Sequence, residues 1–563
     1  ALSYQQLLAW FPSSARREEA LFRLGLSMEK LGKKDSTRAA FETYLRSYPE
    51  GSYGPEVLSS VAREAFQSGR AQESIDLYRR LIERYYYTPQ RQEAEYDLAT
   101  AYAEAGQPDS AITQCQVLLQ KQRENIFGER DSLEVLYLLG NLYQQKRERS
   151  AAKKYYLACL RQDRTSGRAA EVLSSLGRLY RDEGNPEAAV SFLTQANEIG
   201  HDRRVKRELA DLLFDTGEYN AANAHYTELA KSAVAEDERK YFESRLIIGM
   251  IRLGNLTEAD VEAKQFAESS KGVDEELAEF EFEKGSHCYR KQDYTLALNT
   301  FERLIKEYDE TKFVPGANYW IGKIYEATGQ NQKALEKYDE ILKKFPRAEI
   351  LPRVYLSLGN LSYRAEKFDS ALRYYRMIVD SRSAPQDILP SAMNNLIEAY
   401  KTLGLFEAAL QLNRTFVEKF PTDESGQDKR IDMGVLYEKL GYHDQSILHL
   451  QSLLEDADID LEAEIRYYIG EAYFGKGDYE HAILEFLKVP YLVTKKGRVD
   501  WTPNAFYMSA QAYEKMGKYD QAIGMYRQIV DRPGIDQTFK AAALKEIDRV
   551  NTILKKPAKK PGE

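Results

Sequence analysis

The chain has few of the residue types that build most catalytic and metal sites. Its 563 residues include only three cysteines and six histidines, and the common nucleotide, zinc-protease and serine-hydrolase motifs are missing. Cys115, Cys159 and Cys288 are too scattered for a disulfide framework or a CxxC metal site, so we expect them to be buried packing residues. The sequence therefore predicts a protein that is not an enzyme, with no catalytic residue, no metal and no cofactor.

Long apolar runs and a basic surface are also missing. The longest apolar stretch, LIIGMI at 246–251, is far shorter than the roughly 18 residues of a bilayer span. The net charge is −9, and lysine and arginine alternate with aspartate and glutamate, so no face is suited to a phosphate backbone. We expect no membrane span in this sequence, no nucleic-acid partner and no small-molecule substrate.

What the chain does contain is an internal repeat. In YWIGKIYEATGQNQKALEKYDEILKKFP, residues 319–346, Gly322 is followed at fixed spacings by Tyr325, Gly329, Ala334 and Tyr338. The same register recurs in fourteen places, and we call the residue equivalent to Gly322 the anchor. The anchors are Gly25, Ala62, Ala99, Gly140, Gly177, Ala210, Ile247, Gly285, Gly322, Gly359, Ile397, Gly434, Gly470 and Ala510.

Each repeat predicts a helical hairpin. Apolar residues recur at helical spacing in two stretches of about a dozen residues, separated by a turn that usually contains glycine. The turn glycine is expected to form a left-handed C-cap. The small anchor is expected where the two helices approach closely, and the aromatic residues are expected between successive hairpins. One hairpin cannot bury its apolar face alone, so the hairpins should stack.

The spacing of small, aromatic and turn residues resembles the tetratricopeptide repeat family. The resemblance implies an all-α fold, a right-handed α-solenoid of about fourteen helical hairpins, with a half repeat at the N-terminus and a capping helix at the C-terminus. It also implies a non-enzymatic scaffold that binds proteins or peptides along a groove. The hairpin anchored on Ile247 departs from the pattern, because Ala263 stands where an aromatic residue is expected.

The repeat is longer than the 34 residues usual in that family, since most anchors lie 37 residues apart. The extra residues follow the second helix, where Tyr48 and Pro49, Phe345 and Pro346, and Phe420 and Pro421 occur. This is similar to the long repeats of bacterial envelope proteins, including outer-membrane assembly lipoproteins and Tol-Pal coordinators. The similarity implies a periplasmic location, either free or associated with the outer membrane, and a cytoplasmic location is the alternative.

The register also predicts the organisation of the chain. Residues 1–18 form the second half of a truncated repeat, because Tyr4, Leu7 and Pro12 fit the pattern, and we expect a fragment of a longer protein. Two arrays of about seven repeats follow at 19–268 and 269–535, then a capping helix at 536–556 and a flexible Lys/Pro tail at 557–563. Alternatively, the array is an arm of a larger enzyme or polysaccharide-secretion protein, or a cytoplasmic assembly adaptor.

The family resemblance places the groove on the first helices, at the positions three before, one after and four after the anchor. Aromatic residues occupy seven of the fourteen positions three before the anchor. Aromatic rings suit a surface that grips a peptide, although covering the neighbouring helices would require the same rings. The predicted groove residues are Tyr96, Tyr137, Phe282, Tyr319, Glu464, Tyr467, Glu471, Phe474, Trp501 and Tyr507.

The C-terminal third is the predicted centre of binding. Tyr467, Phe474 and Tyr507 would form an aromatic floor with Glu464 and Glu471 beside it, which favours a segment with apolar anchors and Lys or Arg. Trp501 ends an insertion at 493–501 that either contacts the partner or fills the gap before the last hairpin.

One binding mode of the family is disfavoured by the residues. The carboxylate clamp needs lysine three before the anchor and asparagine four residues later, and Arg207 with Asp211 is the nearest match. An aspartate would repel a C-terminal carboxylate.

Overall fold

The computed structural model describes residues 1–86, 88–123, 129–492 and 499–555. Within these ranges the regular structure is helical and contains no strand, as the all-α prediction requires. The predicted tail at 557–563 lies outside the described residues, as do residues 493–498 of the predicted insertion.

The chain divides into two compact units, Ala1–His287 and Cys288–Glu563. The helices that begin in the first unit are α1 Leu2–Trp10, α2 Arg17–Lys30, α3 Lys34–Ser47, α4 Gly54–Gln67, α5 Ala71–Arg84, α6 Pro89–Glu104, α7 Pro108–Arg123, α8 Glu129–Gln145, α9 Arg149–Gln162, α10 Gly167–Asp182, α11 Pro186–Gly200, α12 Arg203–Asp215, α13 Tyr219–Lys231, α14 Glu236–Leu253, α15 Leu256–Ser269 and α16 Asp274–Arg290.

The second unit begins within α16. Its helices are α17 Tyr294–Glu307, α18 Val314–Ala327, α19 Asn331–Lys344, α20 Leu351–Arg364, α21 Phe368–Val379, α22 Leu389–Thr402, α23 Phe406–Lys419, α24 Gly426–Lys439, α25 His443–Ser452, α26 Ile459–Lys476, α27 Tyr479–Phe486, α28 Val489–Leu492, α29 Thr502–Lys515, α30 Tyr519–Asp531 and α31 Gln537–Lys555. The predicted boundary between two arrays after residue 268 stays a prediction.

The helices pair as the register predicts. Every anchor lies in a first helix that is followed directly by a second helix, from α2 and α3 to α29 and α30. The half repeat is α1, which packs on α2, and the capping helix is α31, which packs on α30. First helices also contact one another, as α4, α6 and α8 do in the first unit and α20 and α22 do in the second. Neighbouring first helices therefore form a shared face within each unit.

The small anchor has a more specific reason than close helix approach. A methyl group added to Gly322 would collide with the ring of Tyr338, which belongs to the second helix of the same hairpin. Gly140 faces Tyr156, Gly359 faces Tyr375 and Gly470 faces Phe486 in the same way. The aromatic ring sixteen residues after the anchor therefore lies against the anchor's backbone within one hairpin, and not only between hairpins as expected.

The turn between the two helices adopts the predicted left-handed conformation. Gly329 has φ of 75°, and its equivalents in the other glycine-containing turns are also positive. Three hairpins lack glycine here, yet Arg147, Gln292 and Glu366 keep positive φ values of 61°, 63° and 58°. The hairpin geometry therefore imposes this conformation even on residues with a Cβ, for which it is unfavourable.

Candidate partner-binding groove

Nine of the ten predicted groove residues are half-buried, and the exception is Tyr467. In the first unit, Tyr96, Tyr137 and Phe282 lie on the first helices α6, α8 and α16. The rings of Tyr96 and Tyr137 pack against core residues, and part of each remains accessible to solvent. Burial raises the pKa of Tyr96 to about 12, so the hydroxyl is a neutral hydrogen-bonding group at physiological pH.

Tyr137 is part of a cluster with charged residues of the next first helix. The Arg168 guanidinium lies 4.3 Å from the centre of the Tyr137 ring, within the range of a cation–π contact. Glu134 accepts two hydrogen bonds from Arg168, at 3.1 and 2.7 Å, and Glu171 forms a further ion pair with it. The ring and the arginine are fixed in place, so a partner would meet a preorganised surface.

In the second unit, Tyr319 belongs to an aromatic cluster. Its ring centre lies 6.0 Å from that of Tyr338 and 5.7 Å from that of Trp320. Trp320 in turn lies 4.8 Å from Tyr289. Burial also raises the pKa of Tyr319. The half-buried rings of Tyr319 and Trp320 therefore lie next to the ring of Tyr338, which is part of the hairpin core.

Tyr467 differs from the other predicted groove residues because it is only 7% exposed. It packs in a core cluster with Phe486 and Val489, and its ring stacks on Trp501 with centres 4.8 Å apart. The Tyr467 hydroxyl donates a hydrogen bond of 2.9 Å to Glu471 Oε1. In this structure the ring of Tyr467 therefore covers its neighbours, which is the packing alternative left open by the sequence.

The remaining C-terminal residues lie around this core. Burial raises the pKa of Glu471, and the hydrogen bond from Tyr467 opposes that shift. Phe474 contacts Tyr479 edge to face at 5.3 Å, and Tyr507 contacts Tyr526 at 5.4 Å. Glu464 is half-buried on α26. The structure thus brings together Tyr467, Glu471 and Trp501, whereas Phe474 and Tyr507 each pack on a ring of their own second helix.

The groove residues predicted from the sequence do not include the residues of a polar cleft on the first helices of the second unit. The cleft has a volume of about 560 Å³ and is lined by Lys323, Glu326, Asn360, Tyr363, Arg364, Tyr375, Asn395 and Glu398. Asn360 Oδ1 accepts hydrogen bonds from the Tyr375 hydroxyl at 2.9 Å and from Asn395 Nδ2 at 2.8 Å. Lys323, Glu326, Asn360, Tyr363 and Glu398 stand one or four residues after an anchor. The prediction used these two positions only in the hairpin of Gly470, where they gave Glu471 and Phe474, and did not apply them to the hairpins that line this cleft.

The nearest match to a carboxylate clamp is engaged in internal contacts. Arg207 Nε lies 3.7 Å from Asp211 Oδ2, and the Arg207 guanidinium lies 4.7 Å from the centre of the Tyr241 ring. Asp211 Oδ1 accepts hydrogen bonds from the hydroxyls of Tyr226 and Tyr241, at 2.8 and 2.9 Å. The aspartate therefore has a structural role inside these hairpins.

The cysteines lie where packing residues were predicted. All three are buried, and burial raises the pKa of the Cys115 thiol to about 12 and that of Cys159 to about 11. Such thiols are poor nucleophiles at neutral pH. The described residues contain no cluster of three metal-ligating side chains. Nor does any helix in the described ranges have an apolar stretch long enough to cross a bilayer.

Comparison with family models gives a consistent result. Four models, each described as a tetratricopeptide repeat, match the chain. The first matches residues 62–126, 282–349, 356–424 and 431–490; the others match 19–51 and 504–533, 133–166, and 172–206. Together the matches cover well over half of the chain. They leave out 207–281, which contains the irregular hairpin anchored on Ile247.

A curated relative is tetratricopeptide repeat protein 37 of Xenopus laevis, 23% identical over 281 residues, which are 48% of this chain. The chain spans only 17% of the length of that relative.

Solved structures matched by the chain include a tetratricopeptide repeat protein from Parabacteroides merdae, at 15% identity and a TM-score of 0.32, covering 48% of this chain and 98% of that one. The APC/C hetero-tetramer Cut9–Hcn1 has 16% identity and a TM-score of 0.28, with 91% and 92% covered. Naa15/Naa10 bound to HypK-THB has 14% identity and a TM-score of 0.32, with 82% and 80% covered.

Proposed function

This chain belongs to the tetratricopeptide repeat family, and on that premise we propose that it is a non-enzymatic scaffold that binds partner proteins along its first helices. Repeats of this family typically form protein-interaction scaffolds. The described residues support such a role, because the side chains on the surface of the protein include aromatic rings, amides and paired charges.

The observation that carries the proposal is the recurrence of half-buried aromatic rings three residues before the anchor. Tyr96, Tyr137 and Phe282 occupy this position in the first unit, and Tyr319 and Tyr507 occupy it in the second. A ring that is held by its neighbours and still partly exposed gives a large contact area at low entropic cost. Because the position repeats along the first helices, an extended or helical peptide would find several such rings.

We further propose that the protein acts in a bacterial cell envelope, in the periplasm, either free or in association with the outer membrane. Support comes from the 37-residue spacing and from the Tyr-Pro or Phe-Pro pairs after the second helix. Fractionation of cells expressing the full-length gene tests the location. Recovery with cytoplasmic proteins would instead favour an assembly adaptor, and a catalytic or secretion domain in the same gene would favour an arm of a larger protein.

Site-specific photocrosslinking tests the groove. Benzoylphenylalanine in place of Tyr96 or Tyr137 should crosslink the same partner protein in cells, because both positions lie on the proposed face. Arg46 and Arg79 are matched controls, since both are exposed and lie on the second helices α3 and α5. Capture of one partner from the two groove positions and from neither control is the expected outcome. Equal capture from all four positions, or none from Tyr96 and Tyr137, would contradict the proposal.

A further inference from the structure

A second surface lies on second helices of the first unit, apart from the predicted groove residues. It is an apolar slot of about 280 Å³ between α9 and α11, with one residue from α10 at its base. Leu160 and Leu173 are buried there, and Leu157 and Phe192 are half-buried. The slot is below the 300–1,000 Å³ typical of small-molecule pockets, so its size suits a few side chains of a peptide.

Two arginines stand at the edge of this slot. Arg161 and Arg164 are both exposed and line it, and Gln195 is the other polar residue of the lining. Arg164 Nε donates a weak hydrogen bond of 3.3 Å to the Leu160 carbonyl oxygen. Among the residues whose side chains the structure describes, neither arginine has a carboxylate oxygen within 4.0 Å, and none of the residues that line the slot is acidic.

Other arginines of the same hairpins behave differently. Arg168 is paired with Glu134 and Glu171, and the Arg178 guanidinium donates hydrogen bonds of 2.8 and 2.9 Å to the two oxygens of Glu208. Carboxylates from α8, α10 and α12 therefore pair with these two arginines of the first helix α10. Apart from the bond from Arg164 Nε to Leu160, the two arginines beside the slot keep their donors available, and carboxylates are among the anions that the guanidinium geometry matches.

We propose that the slot between α9 and α11 is a second docking site, and that its occupant is an acidic protein segment with a leucine or phenylalanine anchor. The anchor enters the space lined by Leu157, Leu173 and Phe192, and flanking aspartate or glutamate side chains pair with Arg161 and Arg164. Charge complementarity of this kind selects the partner and accelerates its association. The site extends the proposed scaffold role, but it lies on different helices from the groove and is tested separately.

A displayed library of random peptides, each with one fixed leucine or phenylalanine, tests the proposal on the full 563-residue chain. Selection on the unchanged chain is followed by removal of peptides that still bind a variant carrying Arg161→Glu and Arg164→Glu. The surviving peptides should be enriched in aspartate and glutamate within one helical turn of the fixed residue. Their affinity should fall about tenfold or more in the variant and weaken as salt is raised.

Arg79→Glu with Arg527→Glu is the matched control, because both residues are exposed and lie on second helices α5 and α30. This control should bind the selected peptides as the unchanged chain does, and thermal unfolding should show that both variants fold. Replacing Tyr96 and Tyr137 by alanine should also leave this binding intact, which separates the slot from the groove. Survivors without acidic enrichment, or no survivors at all, would overturn the proposal.

Discussion

Two hairpins of the second unit fill the space between their helices with opposite combinations of a small and a large residue. In the hairpin of α18 and α19, the anchor is Gly322 and the residue sixteen positions later is the fully buried Tyr338. In the hairpin of α22 and α23, the anchor is Ile397 and the later residue is Asn413, and both are fully buried. A large residue on one side is matched by a smaller one on the other, so the two positions share one volume.

The two hairpins differ in the hydrogen bonding of the buried polar side chain sixteen residues after the anchor. The Tyr338 hydroxyl reaches past the anchor and donates a hydrogen bond of 2.6 Å to Glu326 Oε1. Asn413 is shorter, and neither atom of its side-chain amide has a hydrogen-bond partner among the described residues. The glycine-anchored hairpin therefore satisfies its buried polar group, and the isoleucine-anchored one does not.

Placing isoleucine at the glycine anchor tests whether the anchor and the later residue share one volume. Gly322→Ile should destabilise the protein by about 3 kcal/mol, because the new side chain meets the Tyr338 ring in a packed interior. Tyr338→Ala alone should cost about 4 kcal/mol through the cavity that it leaves. The double variant should lose less than the sum, by roughly 2 kcal/mol, since each change makes room for the other. Urea unfolding of the four proteins measures the coupling.

A pair from different units serves as the control for that cycle. Gly140 faces Tyr156 of its own hairpin in the first unit, whereas Tyr338 belongs to the second unit. Gly140→Ile combined with Tyr338→Ala should therefore be additive within about 0.5 kcal/mol. An equal coupling free energy in both pairs would show that the coupling comes from a general destabilisation of the protein and not from a volume that the two residues share.

The repeat predicted the fold well because its signal is local and occurs fourteen times. The small, aromatic and turn positions each follow from helix geometry within a single hairpin, which the spacing from Gly322 to Tyr338 contains in full. The match between Ile397 and Asn413 was missed, since departures from the pattern at the two positions were not compared with each other. Ile247 with Ala263 has the same relation, and there the pattern was judged irregular.

The candidate site was less predictable, because exposure depends on contacts outside the hairpin. Tyr467 occupies the same register position as Tyr96, but Trp501 stacks on it and closes it from solvent. Trp501 is the last residue of an insertion that the repeat pattern does not specify. The slot beside Arg161 was missed for a related reason, since it forms between second helices while the groove was sought on first helices only.

The isoleucine-anchored hairpin should gain stability when its buried amide is removed. Asn413→Leu keeps a similar volume and removes a donor and an acceptor that have no partner, so unfolding should require about 1–2 kcal/mol more. Asn360→Leu is the matched control, and it should be destabilising because its Oδ1 accepts two hydrogen bonds. Urea unfolding distinguishes them. A loss of stability in Asn413→Leu would show that the amide is satisfied after all.

The smallest expected effect concerns the turn that the glycine-anchored hairpins share. In the hairpin of α20 and α21 the anchor is Gly359, but the turn position is Glu366, which is exposed and has φ of 58°. A left-handed conformation costs a residue with a Cβ about 1–2 kcal/mol, and replacing it by glycine removes this cost. The greater freedom of glycine in the unfolded chain offsets roughly 0.5–1 kcal/mol of the gain in stability. Glu366→Gly should therefore stabilise the protein by about 0.5–1 kcal/mol.

Gly329→Ala, at φ of 75° in the preceding hairpin, should cost about 1 kcal/mol. Thermal unfolding of the two variants should move in opposite directions, and a loss of stability in both would mean that contacts of the Glu366 side chain outweigh its backbone strain.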